Sequence, residues 1–240
     1  MRAVGLIPCR YRSSRFPGKP LADINGKPMM WHVYNQSLKS SILEAVYIAT
    51  DDERIERACN DLELNVLMTR TDHHTGTDRV AECVTKIRAD YYVNIQGDEP
   101  LIRPDEIDAV VEALATCSDE RVAASNACVA IEQPWDVLST DVVKVVVAAD
   151  NTALYYSRQA IPYPRGTSAS YLRQLGLYCF REASLTSYGR LTPGPLERTE
   201  EIEMLRLLEH GHRVLMVQVE KNSISVDTEV DLERVRALIV

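Results

Sequence analysis

Through residues 3–115 short apolar runs alternate with amphipathic stretches of helical length, and that alternation narrows the possible folds more than any other feature. Segments 3–8, 45–50, 65–68 and 90–96 read as strands, and 29–40, 52–61, 77–88 and 104–115 as the helices between them. Pro104 falls in the first turn of its helix, with Asp105 and Glu106 where the helix dipole favours acids. Strands joined by helical crossovers pair in parallel, so the expected fold class is α/β, a doubly wound and mainly parallel sheet. Ligands of such sheets gather beyond the carboxyl ends of the strands. The polar segments 8–19, 50–51 and 96–99 all fall at such ends, which predicts a single shared site.

From about residue 122 the pattern turns β-rich, with apolar or alternating runs at 122–129, 142–148 and 172–181. Loops bearing Pro162, Pro164, Gly166, Pro193 and Pro195 join them. The expectation is one domain over 1–240 carrying a β-rich arm at about 122–195. A helix at 195–210, a strand at 213–219 and a strand-like stretch at 223–226 return the chain to the core. Thr228 and Asp231 have the spacing of a cap for a last helix reaching residue 237.

A net charge of −8 over 240 residues argues against nucleic-acid or anionic-membrane partners, which require a dominant positive field. No apolar run approaches a membrane span, and no basic stretch followed by an apolar core marks a secretory leader. Six cysteines without CxxC spacing read as reduced thiols, and the expected location is the cytoplasm.

Against this acidic background, Arg10, Arg12, Arg15 and Lys19 crowd into ten residues after the first strand. Arginine forks and a lysine point charge on a loop of small residues suit several phosphate oxygens. The loop is not a Walker A motif, because Ser13 stands where its first glycine would be and Pro20 where its Ser or Thr would be. Asp98 follows a strand, with Gly97 allowing a sharp bend, and Asp227 ends a strand-like stretch. Two hard carboxylates suit Mg²⁺, which completes its shell with water and phosphate oxygens. By position alone, Asp98 reads also as a turn residue and Asp227 as a helix cap. The adjacent His73 and His74, lacking a third ligand, read as a solvated loop.

The run from Arg10 to Leu21, then Ile24-Asn25-Gly26-Lys27-Pro28-Met29, resembles the signature loop of the sugar-acid cytidylyltransferases, in particular the 3-deoxy-manno-octulosonate (Kdo) cytidylyltransferase family. The resemblance continues, in family order, through Ala49-Thr50-Asp51-Asp52, Met68-Thr69-Arg70, Gly76-Thr77-Asp78-Arg79, Asn94 to Pro100, Tyr155 to Arg158, Leu175 to Tyr178 and Val226-Asp227-Thr228. It implies a Rossmann-like nucleotidyltransferase that moves CMP from CTP to an acidic acceptor, most simply Kdo, and releases pyrophosphate. It further implies a homodimer formed through the arm. Arg10, Arg15, Lys19 and Asp98 would be catalytic, and Cys9, Arg10, Ser14, Arg15 and Lys19 would hold the nucleotide. Arg70, Gly76 and Thr77 would lie near the nucleotide or the acceptor, and Asp98 and Asp227 would bind Mg²⁺. Gln96, Arg158, Gln174, Tyr178, Glu197, Glu200, Arg198 and Glu203 match positions that contact, line or support the acceptor pocket.

Two departures concern that pocket. Gln174 replaces the histidine usual before the Leu-Gly-Leu-Tyr block, and Arg198 brings a permanent cation where the family has a neutral side chain. If Arg198 points inward, an acceptor with more negative charge follows, such as another nonulosonate or a small phosphonate. If it points outward, nothing follows. A non-catalytic nucleotide-binding protein on the same fold is the remaining alternative.

Overall fold

The structure, a computed structural model, describes residues 1–12, 16–166, 169–220 and 224–239. The chain divides into two compact units, Met1–Asp108 with Ser223–Val240, and Ala109–Asn222.

In the first unit β1 (Ala3–Cys9) is buried almost throughout. A 3-10 turn at Lys19–Leu21 and a hairpin of β2 (Asp23–Ile24) and β3 (Lys27–Pro28) follow, leading into α1 (Met29–Ser37). Then come β4 (Leu43–Thr50), α2 (Glu53–Asp61), β5 (Val66–Met68), α3 (Gly76–Cys83), β6 (Tyr91–Ile95) and α4 (Pro104–Thr116). The strands of this unit lie in the order β6-β1-β4-β5, every pair parallel. The apolar strands and helical crossovers thus produce the expected doubly wound arrangement. Strand order reverses between β1 and β6, and the crevice at such a reversal is where ligands bind in open α/β sheets.

Two helices stop short of their sequence-based limits. After Ser37 the backbone closes three-residue turns, Lys39 N–H to Gln36 O and Ser40 N–H to Ser37 O, and the helix ends there. After Cys83 the same tightening occurs, with Thr85 N–H on Glu82 O and Lys86 N–H on Cys83 O. Helix α3 also begins a residue earlier than expected, because Thr75 and Asp78 form a reciprocal capping box.

The second unit comprises β7 (Val122–Ala130), α5 (Pro134–Leu138), β8 (Lys144–Val147), β9 (Ala153–Ser157), β10 (Leu172–Arg181), α6 (Glu182–Tyr188), α7 (Pro195–Glu200), α8 (Leu205–Glu209) and β11 (Arg213–Gln218). Strand β11 pairs parallel with β7, while β7–β10, β10–β8 and β8–β9 are antiparallel. The single helix expected at 195–210 is two, because Glu201 takes a left-handed φ of 52° that closes α7.

Helix α9 (Glu229–Leu238) belongs to the first unit, and Thr228 caps it with Asp231 in a second capping box. Val226, Leu232 and Val235 pack with Ile24 and Met29 in one buried cluster that fixes the last helix against the β2–β3 region. The stretch at 224–227 is not a strand. Its link to the loop after β6 is a hydrogen bond from Val226 N–H to Asp98 O at 2.8 Å.

Candidate active site

The site of the first unit is built at the carboxyl ends of β1, β4, β5 and β6. The basic loop leaves β1 and is tied back on itself by Gly18 N–H on Tyr11 O at 2.8 Å. Gly18 has φ 75°, and an added Cβ would come within 3.3 Å of the Tyr11 ring, so the closure needs glycine. The Tyr11 ring is covered by the Arg54 guanidinium, 3.3 Å from its centroid, and Arg54 is held in turn by Asp52. Lys19 opens the 3-10 turn that follows, locked by Leu21 N–H on Gly18 O and Ala22 N–H on Lys19 O.

From this turn Lys19 Nζ reaches Asp98 Oδ2 at 2.6 Å and Asp227 Oδ1 at 3.3 Å. Three residues far apart in the chain therefore meet at one point. Asp98 gets there because Gly97 lets the loop after β6 lie against the end of β1. A Cβ on Gly97 would stand 3.1 Å from Pro8 O and 3.2 Å from Cys9 Sγ. Asp227 gets there because Thr228 performs the capping, which leaves the Asp227 carboxylate to the site. Among the described residues no group of three or more His, Cys, Asp or Glu side chains is placed to hold a metal. The Asp98 and Asp227 pair nonetheless brings two hard oxygens to one point, a donor set that fits a small cation completing its shell with phosphate and water.

Arg10 donates from Nη1 to His74 O at 2.8 Å. With Arg12, Asp51, Thr71, His73 and Arg79 it lines a cavity of about 400 Å³. Beneath the cavity Arg79 is 1% exposed, paired to Asp51 at 3.1 Å and bonded to Thr69. Composition and spacing gave no reason to single out Arg79, although the Gly-Thr-Asp-Arg block contains it. His73 corrects the solvated-loop reading. Its ring is buried and its Nε2 lies 2.6 Å from Glu82 Oε2. Arg70 is exposed, and its side chain is directed to Asp72 and Glu82. Gly76 and Thr77 open α3, and the buried Thr77 hydroxyl accepts from Asn94 Nδ2 at 3.0 Å. Cys9 is buried, and desolvation pushes its thiol far above neutrality, so it packs and is not a nucleophile. Gln96 follows β6 directly, its carbonyl accepting from Glu99 N–H. Ser14 and Arg15 lie outside the described residues.

The remaining candidates belong to the second unit. Four residues along a regular strand span about 13 Å, yet Gln174 Nε2 donates to Tyr178 Oη at 2.6 Å. The contact exists because the β10–β7 register shifts between them, and Asn126 Nδ2 fills the gap by donating to Leu175 O and Leu177 O. Gln174 Oε1 is buried with no hydrogen-bond partner.

Arg158 is framed by Glu200. The Glu200 carboxylate accepts from Ser157 Oγ at 2.6 Å and Arg158 N–H at 2.9 Å, while Arg158 Nε donates to Glu200 O and Nη1 to Thr140 O. Below it the buried Lys144 ammonium donates to Ser139 O and Val142 O and also reaches Arg158 O. Sequence reading passed over Lys144 because its apolar neighbours look like ordinary strand. Glu197 is spent on a buried bidentate pair with Arg206 at 2.6 and 2.7 Å, which joins α7 to α8. Glu203 is partly buried, and its carbonyl accepts from Tyr188 Oη. Arg198 is exposed on α7, so it gives no support to an acceptor with extra negative charge.

A doubly wound sheet with basic side chains and a pair of carboxylates at its strand reversal defines a nucleotidyltransferase type of site. The cytidylyltransferase family model matches residues 4–220. The chain is 46% identical over 239 residues to the 3-deoxy-manno-octulosonate cytidylyltransferase of Solibacter usitatus (strain Ellin6076), covering 99% of this chain and 94% of that one. It is 42% identical over 238 residues to the enzyme of that name from Escherichia coli, covering 99% and 96%. A solved CMP:2-keto-3-deoxy-manno-octonic acid synthetase in complex with CTP superimposes with a TM-score of 0.93 at 42% identity, over 100% of this chain and 98% of that one. The chain belongs to the cytidylyltransferase family and, within it, to the 3-deoxy-manno-octulosonate cytidylyltransferases. Among the described residues no helix is long and apolar enough to cross a membrane.

Proposed function

We propose that this protein moves CMP from CTP to 3-deoxy-manno-octulosonate, releasing pyrophosphate, as the names of its relatives say of them. The observation that carries the reading is the meeting of Lys19 with Asp98 and Asp227 beside the basic loop. Cytidylyl transfer asks a protein for positioning and for charge neutralisation on the phosphates. Lys19 and Arg10 supply cations for the triphosphate, and the preset Gly18 closure limits the entropy lost in ordering their loop. Asp98 and Asp227 would hold Mg²⁺, which when bound neutralises phosphate oxygens and orients the triphosphate for displacement. In the second unit Arg158, Gln174 and Tyr178 are the groups for the sugar acid, kept in place by Glu200, Lys144 and the β10 bulge.

A cytoplasmic site of action is the reading that a nucleoside triphosphate substrate supports. A homodimer through the second unit is supported by the exposed Trp135, Leu138, Leu154 and Tyr163 of that unit.

The test is pyrophosphate release with CTP and Mg²⁺ on addition of 3-deoxy-manno-octulosonate, of other nonulosonates and of small phosphonates. Release with 3-deoxy-manno-octulosonate at the highest kcat/KM is the expected result. A higher value for another acid reassigns the acceptor, and no release with any of them leaves a nucleotide-binding protein without this activity.

A further inference from the structure

Glu82, on α3, takes no part in the chemistry described above, yet it organises the loop that runs from β5 to α3. Its Oε2 accepts from Arg70 N–H at 3.0 Å and from the His73 ring at 2.6 Å, while its Oε1 accepts from Lys86 Nζ at 2.7 Å. A carboxylate oxygen can only accept, so the His73 Nε2 carries the proton. One oxygen therefore pins both the start and the middle of the loop. The next residue, His74, presents the carbonyl on which Arg10 rests at 2.8 Å. Burial alone would raise the Glu82 carboxyl, but Lys86, the Arg70 amide and His73 hold it down at about 2, so it is an anion throughout the working range.

We infer that Glu82 and His73 are positioning residues for CTP, acting through the His74 carbonyl to fix the Arg10 guanidinium plane. The inference rests on the assignment of Arg10 to the triphosphate. A guanidinium on three flexible methylenes samples many rotamers, and a single well-placed carbonyl selects the one that points its fork at an anion. Without the Glu82 anchor the loop loses two hydrogen bonds to charge, His74 O drifts, and Arg10 must be ordered by the nucleotide itself.

The experiment is calorimetric titration of the full chain with CTP, alongside the KM of each substrate, for wild type, Arg10→Ala, Glu82→Gln, His73→Leu, His73→Gln, Lys86→Ala and the double variant Arg10→Ala/Glu82→Gln. Glu82→Gln and His73→Leu should each weaken CTP about tenfold and leave the KM for the acceptor within twofold. His73→Gln, whose amide places an N–H close to that of Nε2, should recover most of the loss. Lys86→Ala, which removes the outer partner of the same carboxylate and a hydrogen bond to Met68 O but leaves the Arg70 and His73 contacts in place, should bind CTP as wild type does even where its melting temperature falls. The double variant should bind no more than twofold worse than Arg10→Ala, since both changes remove the same contact. Wild-type affinity in Glu82→Gln, multiplying losses in the double variant, or equal rises in both KM values would overturn the inference. Wild-type CTP affinity in Arg10→Ala would instead remove the Arg10 assignment, and this inference with it.

Discussion

Lys19 carries the sharpest expectation at the scale of single residues, because its ammonium touches both carboxylates. Lys19→Ala should cost about 2–4 kcal/mol of transition-state stabilisation, a fall in kcat/KM of roughly 30- to 1000-fold. Pyrophosphate release under saturating acceptor measures it, and unchanged turnover would remove Lys19 from the site. Asp98→Asn and Asp227→Asn should keep the wild-type circular dichroism spectrum and lose the response to added Mg²⁺. A variant that titrates with Mg²⁺ as the wild type does is not a metal ligand. Lys19 was legible in the sequence as one of a cluster of cations in an otherwise acidic chain, and Asp98 and Asp227 through the blocks that resemble the cytidylyltransferases, since by position alone they read also as a turn residue and a helix cap. Arg79, Glu82 and Lys144 were not, since the role of an ion away from the surface depends on partners that other segments of the chain supply. Asp51 meets Arg79 28 positions away, and Arg158 O meets Lys144 Nζ across two strands.

At the scale of elements, the four parallel strands of the first unit followed from apolar runs and crossovers, while helix ends did not. Helix α3 shows why. Its interior has the helical period, but its limits are set by a hydrogen-bonded cap at Thr75 and by a tightened turn after Cys83. The Thr75-x-x-Asp78 spacing was available to find the first; nothing in the local sequence marks the second. Thr75→Ala should cost about 1 kcal/mol in urea unfolding, the usual value of a helix cap, and a loss below 0.3 kcal/mol would mean that the Asp78 half of the box suffices. Position 97 is a junction between elements. Its Cβ would press on the Pro8 carbonyl, which is backbone and cannot rotate away, so Gly97→Ala should destabilise by about 1–3 kcal/mol and displace Asp98. The β10 bulge was equally hidden, because the contact of Gln174 with Tyr178 depends on Asn126 of another strand.

For the whole molecule, stability should vary with pH through two glutamates that shift in opposite directions. Glu106 is buried with both carboxylate oxygens lacking hydrogen bonds, and burial pushes it up to about 7. A raised acid binds its proton more tightly when folded, so its contribution is complete below pH 4.5 and is lost as pH rises to about 7. The loss should be about 3 kcal/mol from the size of that shift, and Glu106→Gln should flatten the fall between pH 5 and pH 8 in urea titrations. An unchanged slope would show that Glu106 ionises freely. Glu82, held down at about 2, works the other way, stabilising above pH 4.5 and failing as pH drops toward 2.

The meeting of Lys19 with Asp227 joins positions 208 residues apart. On a ribosome the chain grows from its amino end, so the basic loop emerges early and waits for nearly the whole of synthesis before its last carboxylate is made. Only then can the buried cluster of Val226, Leu232 and Val235 close over Ile24 and Met29. Closing so long a loop is also slow relative to local folding. An unfinished chain therefore has the cations without both of the carboxylates proposed to hold Mg²⁺, and the proposed chemistry must wait until the chain has passed residue 227.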